Sequence, residues 1–391
     1  MIAFTFPGQG SQRPGMGRAW AEHPSWELVA EASEAAGRDL EALLLDADAD
    51  ELVSTRNAQL ATFVASLVVL DAVERIGVEP ARVAGHSLGE YSALVAAGAI
   101  AFDDGVRLVA ERGAAMQVAA EDRSGTMAAV LGLDDDKVEI ACARVDGEVW
   151  VANYNAPGQV VIAGDPAAID AAGAAAKDLG AKRVMSIPVS GAFHTPFMAP
   201  ARDRLRKAIA SAEIRAPEVP VYANVDALPH LGDDEWDGLL AAQLLAPVRW
   251  KQTLLALEAE GVTKFVELGP GTVLTGMAKR TVSGARTLSV ATPDDLDSLL
   301  EALHAAPDTD VGQHDGEHLF ATERLVVSPA AGLFTPDPAI GAGTRITPGQ
   351  LLGHVGEHEV RTPFAGAVQG WLAVDGERVT PSQPIAWLRT V

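Results

Sequence analysis

The run GHSLGEY, residues 85–91, sets Ser87 between Gly85 and Gly89. A serine at this spacing can act as a nucleophile when it sits on the sharp turn between a strand and a helix. There its hydroxyl is exposed at the carboxyl edge of the sheet, and the helix N-terminus aims backbone N–H groups at a developing negative charge. The flanking RVA and EYSALVAAG supply a strand and a helix, and the two glycines remove side chains that would clash in the turn. An ordinary strand-to-helix turn has the same pattern, so the serine alone does not decide the chemistry.

A serine nucleophile needs a base, and nine histidines are available. His86 is Ser87's neighbour on the turn, where adjacent side chains diverge. His23 and His304 fall on polar helical surfaces. His194, in PVSGAFHTPF, follows a strand and precedes a proline that pins the chain, which makes it the candidate base. The glycine-rich PGQGSQ at 7–12 follows the first strand, so its backbone amides could approach a reacting carbonyl. It lacks the Lys-Ser/Thr of a Walker loop and the third glycine of a dinucleotide loop, which sets a phosphate cradle aside. Arg112, in ERGAAMQ, reads by default as a surface arginine on a helix, although a guanidinium can also hold a carboxylate through two parallel bonds. HDGEH at 314–318 and HVGEH at 354–358 both spell His-x-x-Glu-His, but each carries a central glycine in linker or hairpin sequence. The helical face that a zinc site of this pattern requires is missing, and no metal is expected.

The elements that must position these groups follow from periodicity and composition. Thirty basic against 53 acidic residues in a chain of 391 give a net charge of −23, which disfavours nucleic acid or an anionic membrane as partner. The single cysteine, Cys142 in VEIACARV, excludes an internal disulfide, suits a reducing cytoplasm and reads as a packed core residue. MIAFTF reads as a first strand rather than a signal peptide, and no apolar stretch is expected to reach the ~20 residues of a membrane span. A cytoplasmic α/β protein with a mainly parallel sheet is predicted from the alternation of short apolar runs with amphipathic helical patterns. Within it, residues 124–194 carry the order β-α-β-β-α-β of a ferredoxin-like insertion, leaving 1–123 and 195–304 as one larger subdomain. Residues 305–323 are polar and turn-rich, as a linker is. Beyond them SPAAG at 328–332 recurs as TPFAG at 362–366, and GTRITPGQLL at 343–352 recurs as GERVTPSQPI at 376–385. Residues 324–391 are therefore predicted to form two similar all-β halves of a small barrel.

Several of these signals occur in one order. FPGQGSQ at 6–12, GHSLGEY at 85–91, ERGAAMQ at 111–117, NAPGQVVIAG at 155–164, GAFH at 191–194 and VELGPGTVLTGM at 266–277 together resemble the malonyl-CoA:acyl carrier protein transacylases. The resemblance spans about residues 1–304 and implies an α/β-hydrolase-like subdomain interrupted by a ferredoxin-like one. Carried over residue by residue, it makes Ser87 the nucleophile and His194 the general base. Backbone N–H groups of Gln9 and Leu88 form the oxyanion hole, and Arg112 holds the malonyl carboxylate. Gln59, Phe193 and Asn155 line the pocket, although Leu60 replaces the proline usual after that glutamine. The histidine is oriented by a backbone carbonyl, placed near Arg249 in LLAPVRW. The implied reaction moves malonyl from coenzyme A to the phosphopantetheine thiol of acyl carrier protein, for fatty acid synthesis, with no metal or cofactor.

The C-terminal halves resemble the biotinyl/lipoyl carrier domain, whose cofactor is carried on a lysine at the tip of the hairpin between the halves. The matching stretch here is LLGHVGEHEVRTP, and no lysine follows Lys279 anywhere in the chain. Biotin or lipoate attachment is therefore not expected, and the barrel is left as a docking, oligomerisation or stabilising module. Two other functions stay open at this point. One is a serine thioesterase, with water in place of the carrier thiol, and the other is a scaffold that contributes its barrel to a larger synthase or carboxylase assembly.

Overall fold

The computed structural model describes residues 1–189, 191–304, 323–362, 365–380 and 383–389. The chain divides into two compact units, Met1–Ala306 and Pro307–Val391. The linker expected at 305–323, apart from its last residue, and the HDGEH motif at 314–318 lie outside the described residues, as does the His304 side chain.

The first unit is built on a six-stranded sheet and a four-stranded one. Strands β1 (Ile2–Phe6) and β2 (Arg82–Gly85) pair in parallel, with Phe6 opposite Gly85. The chain then leaves for β3 (Thr126–Leu131), β4 (Val149–Ala156), β5 (Gln159–Gly164) and β6 (Arg183–Ile187). These four form a separate antiparallel sheet in the order β4-β5-β3-β6, with helices Asp135–Ala143 and Pro166–Asp178 in the crossovers. Its own core cluster includes Val130, Val138, Val160, Ile162 and Cys142, the last buried as expected. Burial pushes the Cys142 thiol up to about 11, which keeps it a thiol. The chain returns through β7 (Val221–Tyr222), β8 (Pro229–His230), β9 (Lys264–Leu268) and β10 (Arg286–Val290), giving the first sheet the order β10-β9-β1-β2-β7-β8. All its pairings are parallel except that of β7 with β8.

The expectation about apolar length is corrected at the centre of this unit. Helix Thr55–Arg75 has 21 residues and a mean hydropathy of 1.3 in its most apolar stretch, enough by length and composition to cross a membrane. Its residues read as apolar on every face because the helix is the core: 89% of that stretch is buried inside the protein. Charges such as Arg56, Asp71 and Glu74 gather at its two ends, which left the apolar centre too short to stand out in the sequence.

The second unit is all β. Strands β11 (Glu323–Val327), β12 (Gly332–Pro336), β13 (Arg345–Ile346) and β14 (Leu351–Val355) come from its first half. Strands β15 (His358–Arg361), β16 (Gly366–Trp371), β17 (Arg378–Val379) and β18 (Pro384–Arg389) come from its second. They form two antiparallel sheets, β11-β18-β16-β13 and β15-β14-β12-β17. Exchanging the halves, β11 for β15 through β14 for β18, converts the first order into the second. The sequence repeat is thus an exchange of sheets, and both bury one cluster containing Phe334, Leu352, Val355, Val368 and Leu388. Residues 354–358 lie in the β14–β15 hairpin and not on a helix.

Close backbone approach fixes the edge of the parallel sheet where β1 and β2 end. A Cβ on Gly85 would lie 1.8 Å from the Gly89 carbonyl oxygen, and one on Gly89 would lie 2.0 Å from that of Phe6. Neither obstacle is a flexible side chain. Gly85→Ala is expected to destabilise the unit by roughly 3 kcal/mol, read as a lower midpoint in denaturant. Gly238→Ala, whose added methyl meets nothing within 4 Å on the exposed face of its helix, should leave stability unchanged or raise it by about 0.5 kcal/mol. Equal midpoints for the two variants would refute this account of the turn.

Candidate active site

Ser87 stands where β2 gives way to helix Gly89–Ala96, and its φ of 53° is left-handed, a conformation that costs a non-glycine residue energy and persists only when neighbours impose it. Asn224, just past β7, imposes it here. Its Oδ1 accepts from the Ser87 N–H at 2.6 Å, and its Nδ2 donates to the Gly85 carbonyl at 2.7 Å. His194 is also left-handed, with φ of 60°. The Ala192 carbonyl accepts from Thr195 Oγ1 at 2.6 Å, closing a tight turn around it.

The two meet directly: Ser87 Oγ and His194 Nε2 are 2.8 Å apart. The other ring nitrogen, Nδ1, lies 2.8 Å from the Gln243 carbonyl oxygen. A carbonyl only accepts, so Nδ1 carries the proton and Nε2 presents its lone pair to the serine hydroxyl. The carbonyl is that of Gln243, and the expectation of one near Arg249 is corrected. Arg249 starts the next helix, and its carbonyl accepts from the Thr253 N–H and Oγ1 instead. His86 bonds Asn155 Oδ1 through Nε2 at 2.9 Å, and so is not the partner of Ser87.

Arg112 sits mid-way along helix Phe102–Asp122 and is fully buried, which removes the reading of a surface arginine. Its Nη1 donates to Gln59 Oε1 at 2.6 Å, and its Nη2 donates to Ser87 Oγ at 3.1 Å and to Gln243 Oε1 at 2.9 Å. Among the described residues it has no ion pair. Burial therefore lowers its pKa, opposed by Tyr91 and Glu90. Burial, with the Arg112 charge second, pushes His194 down to about 3, so the base is neutral at any ordinary pH.

A cavity of about 210 Å³ opens onto these groups, lined among others by Gly8, Gln9, Asn155, Phe193, Ser87 and His194. Gln59 also lines it, while Leu88 is buried at the start of helix Gly89–Ala96, the elbow helix. Three residues that the sequence reading did not single out complete the network: Asn224, Gln243 and Glu90. Gln243 lies 156 positions from Ser87 and Asn224 lies 137 away, each in a stretch with no motif of its own. Glu90 was inside GHSLGEY, but one carboxylate on a helix reads as a solvated charge.

A serine hydroxyl bonded to a neutral histidine at the edge of a parallel sheet is the arrangement of an acyl-transfer enzyme, and the family described as acyl transferase domain matches residues 3–306. A malonyl CoA-acyl carrier protein transacylase of Escherichia coli (strain K12) is 44% identical over 305 residues, 77% of this chain and 99% of the relative. That of Bacillus subtilis (strain 168) is 41% identical over 307 residues, 77% of this chain and 97% of the relative. A malonyl-transacylase solved in complex with its type II PKS acyl-carrier protein is 40% identical, with a TM-score of 0.75, over 77% of this chain and 99% of that one. The chain belongs to the malonyl CoA-acyl carrier protein transacylase family.

With His194 held at about 3, its ring should show no titration by NMR between about pH 5 and about pH 8. A midpoint near 6.5 would mean that the histidine is solvated and that the Gln243 bond does not set its state.

Proposed function

We propose that this protein transfers malonyl from malonyl-CoA to the phosphopantetheine thiol of an acyl carrier protein, through a malonyl ester on Ser87. The observation that carries the reading is the buried Arg112, which has no carboxylate partner among the described residues and lies 3.1 Å from Ser87 Oγ. A buried cation with no carboxylate in direct contact is costly, and an acyl group ending in a carboxylate would offset that cost while being delivered to the nucleophile.

The steps follow from the proton positions. His194 Nε2 takes the Ser87 proton as Oγ attacks the thioester carbonyl, and the Gln243 carbonyl stabilises the imidazolium that forms. The oxyanion is received by the backbone N–H groups of Gln9 and Leu88; the hydrogen bonds of the described residues give neither an acceptor. The C–S bond breaks and the coenzyme A sulfur leaves with the proton from His194. The carrier thiol then repeats the attack on the Ser87 ester, with His194 as its base. Gln59 sets the Arg112 guanidinium, Asn155 holds His86 at the cavity wall, and Phe193 fills the space that an α-methyl group would need, favouring malonyl over methylmalonyl. A thioesterase for neutral acyl chains would have no use for Arg112. The residues in place supply every proton transfer, so the reaction calls on no metal or cofactor.

We read the antiparallel β3–β6 sheet, residues 124–194, as a ferredoxin-like insertion in an α/β-hydrolase-like subdomain of 1–123 and 195–304. The second unit, residues 324–391 after a 305–323 linker, we read as a biotinyl/lipoyl-like barrel without its carrier lysine, kept for docking or oligomerisation. The excess of acidic residues and the single cysteine favour a cytoplasmic enzyme serving fatty acid synthesis.

Ser87→Ala should form no malonyl adduct with malonyl-CoA; an adduct in its intact mass would sink the assignment. Arg112→Ala should lose malonyl transfer by about a hundredfold, the loss expected for one charge-assisted pair worth about 3 kcal/mol, while acetyl transfer gains relative to it. An unchanged malonyl-to-acetyl ratio in competition assays would show that Arg112 is not the carboxylate clamp.

A further inference from the structure

Glu90, in the first turn of the elbow helix, is 1% exposed, and no step of the transfer uses it. Its Oε1 accepts from the Asn224 backbone N–H at 2.6 Å, and its Oε2 accepts from Gln243 Nε2 at 2.5 Å. Asn224 latches the Ser87 turn from both sides. Gln243 carries the His194 proton bond on its carbonyl and the Arg112 bond on Oε1, and also donates from Nε2 to the Ser87 carbonyl at 2.8 Å. We propose that Glu90 is a positioning residue for the transfer, and that its ionised carboxylate is what holds Asn224 and Gln243, and through them the nucleophile, the base and the carboxylate clamp. The proposal rests on the reaction assigned above.

The chemistry of the donors requires the ionised form. Both neighbours present N–H groups, and an ionised carboxylate only accepts. A protonated Glu90 would turn one oxygen into a donor facing a donor. The Asn224 backbone cannot reverse. The Gln243 amide cannot flip either, because its Oε1 holds Arg112 and its Nε2 holds the Ser87 carbonyl. Protonation removes the charge and sets an O–H against an N–H, and so weakens one of the two latches.

The charged and titratable groups around Glu90 are Arg112 from helix Phe102–Asp122, Asp226 beyond β7 and Tyr91 on its own helix. Burial dominates and pushes the carboxyl up to about 8, against the Asn224 N–H, the Gln243 amide and the Arg112 charge, with Asp226 adding to the rise. His194, at about 3, does not titrate in this range. The acid limb of Ser87 reactivity then belongs to Glu90. The active form is deprotonated, so reactivity rises with pH through the region near 8 and levels above it.

The test is the rate at which Ser87 is labelled by a fluorophosphonate probe, alongside single-turnover loading from malonyl-CoA, on the full chain across about pH 6 to about pH 9.5. In the wild type both rates should rise by about tenfold per pH unit below the inflection, the slope of one ionisation. Glu90→Gln, which holds the neutral arrangement permanently, should be slower by about tenfold or more at high pH, with a level profile. A folded Glu90→Gln enzyme that keeps the wild-type profile, at whatever rate, overturns the proposal. If that variant does not fold, the wild type decides alone, since a level profile overturns it and a rise of unit slope supports it. The probe carries no malonyl group. A wild type that reacts with it along the expected curve but never loads malonyl would leave Glu90 in its role and remove the transfer reading.

Discussion

Gln243 brings its backbone carbonyl and both polar atoms of its side chain to one point in space. Its carbonyl takes the Nδ1 proton of His194, its Oε1 takes a guanidinium proton of Arg112, and its Nε2 ties down the Ser87 carbonyl and Glu90. The tautomer of the base, the aim of the cation and the shape of the nucleophilic turn all hang on this residue. A neutral amide suits the task better than a carboxylate would. A carboxylate in its place would pair with Arg112, cancelling the charge that the acyl carboxylate has to meet, and would have no N–H to give the Ser87 carbonyl.

The site therefore buries a cation and, once Glu90 ionises near 8, an opposite charge, and keeps them apart. Arg112 and Glu90 are both excluded from water, and the Gln243 side chain bridges them. Direct contact would make an inert ion pair. Separation leaves each with work: the cation faces the cavity, and the anion faces two N–H donors. The desolvation cost is carried by the surrounding fold, in which the apolar helix Thr55–Arg75 packs beside helix Phe102–Asp122 and supplies Gln59 to the guanidinium. Two left-handed residues, Ser87 and His194, add strain at the point of reaction, the first held by Asn224 and the second by the Thr195–Ala192 bond.

The second unit follows a different economy. Its two halves exchange into each other's sheets, so neither could bury Phe334, Val368 and Leu388 alone. Its hairpin between the halves ends on Val355-Gly-Glu-His358, with no amine to modify.

By itself the sequence determined what depends on neighbours in the chain. The glycines of GHSLGEY allow the Ser87 turn, GAFH supplies a histidine after a strand, and the 33- and 34-residue offsets announce two equivalent all-β halves. Periodicity was enough for the order of strands and helices, because side-chain burial repeats with the backbone. Only the tertiary structure decided which carbonyl orients His194. LLAPVRW pointed to Arg249, whose carbonyl is committed to its own helix, while Gln243 comes free where helix Trp236–Gln243 ends. Only there, too, do Glu90, Asn224 and Gln243 become one network, because hydrogen bonds spanning 134 and 153 positions leave no periodic mark on the chain.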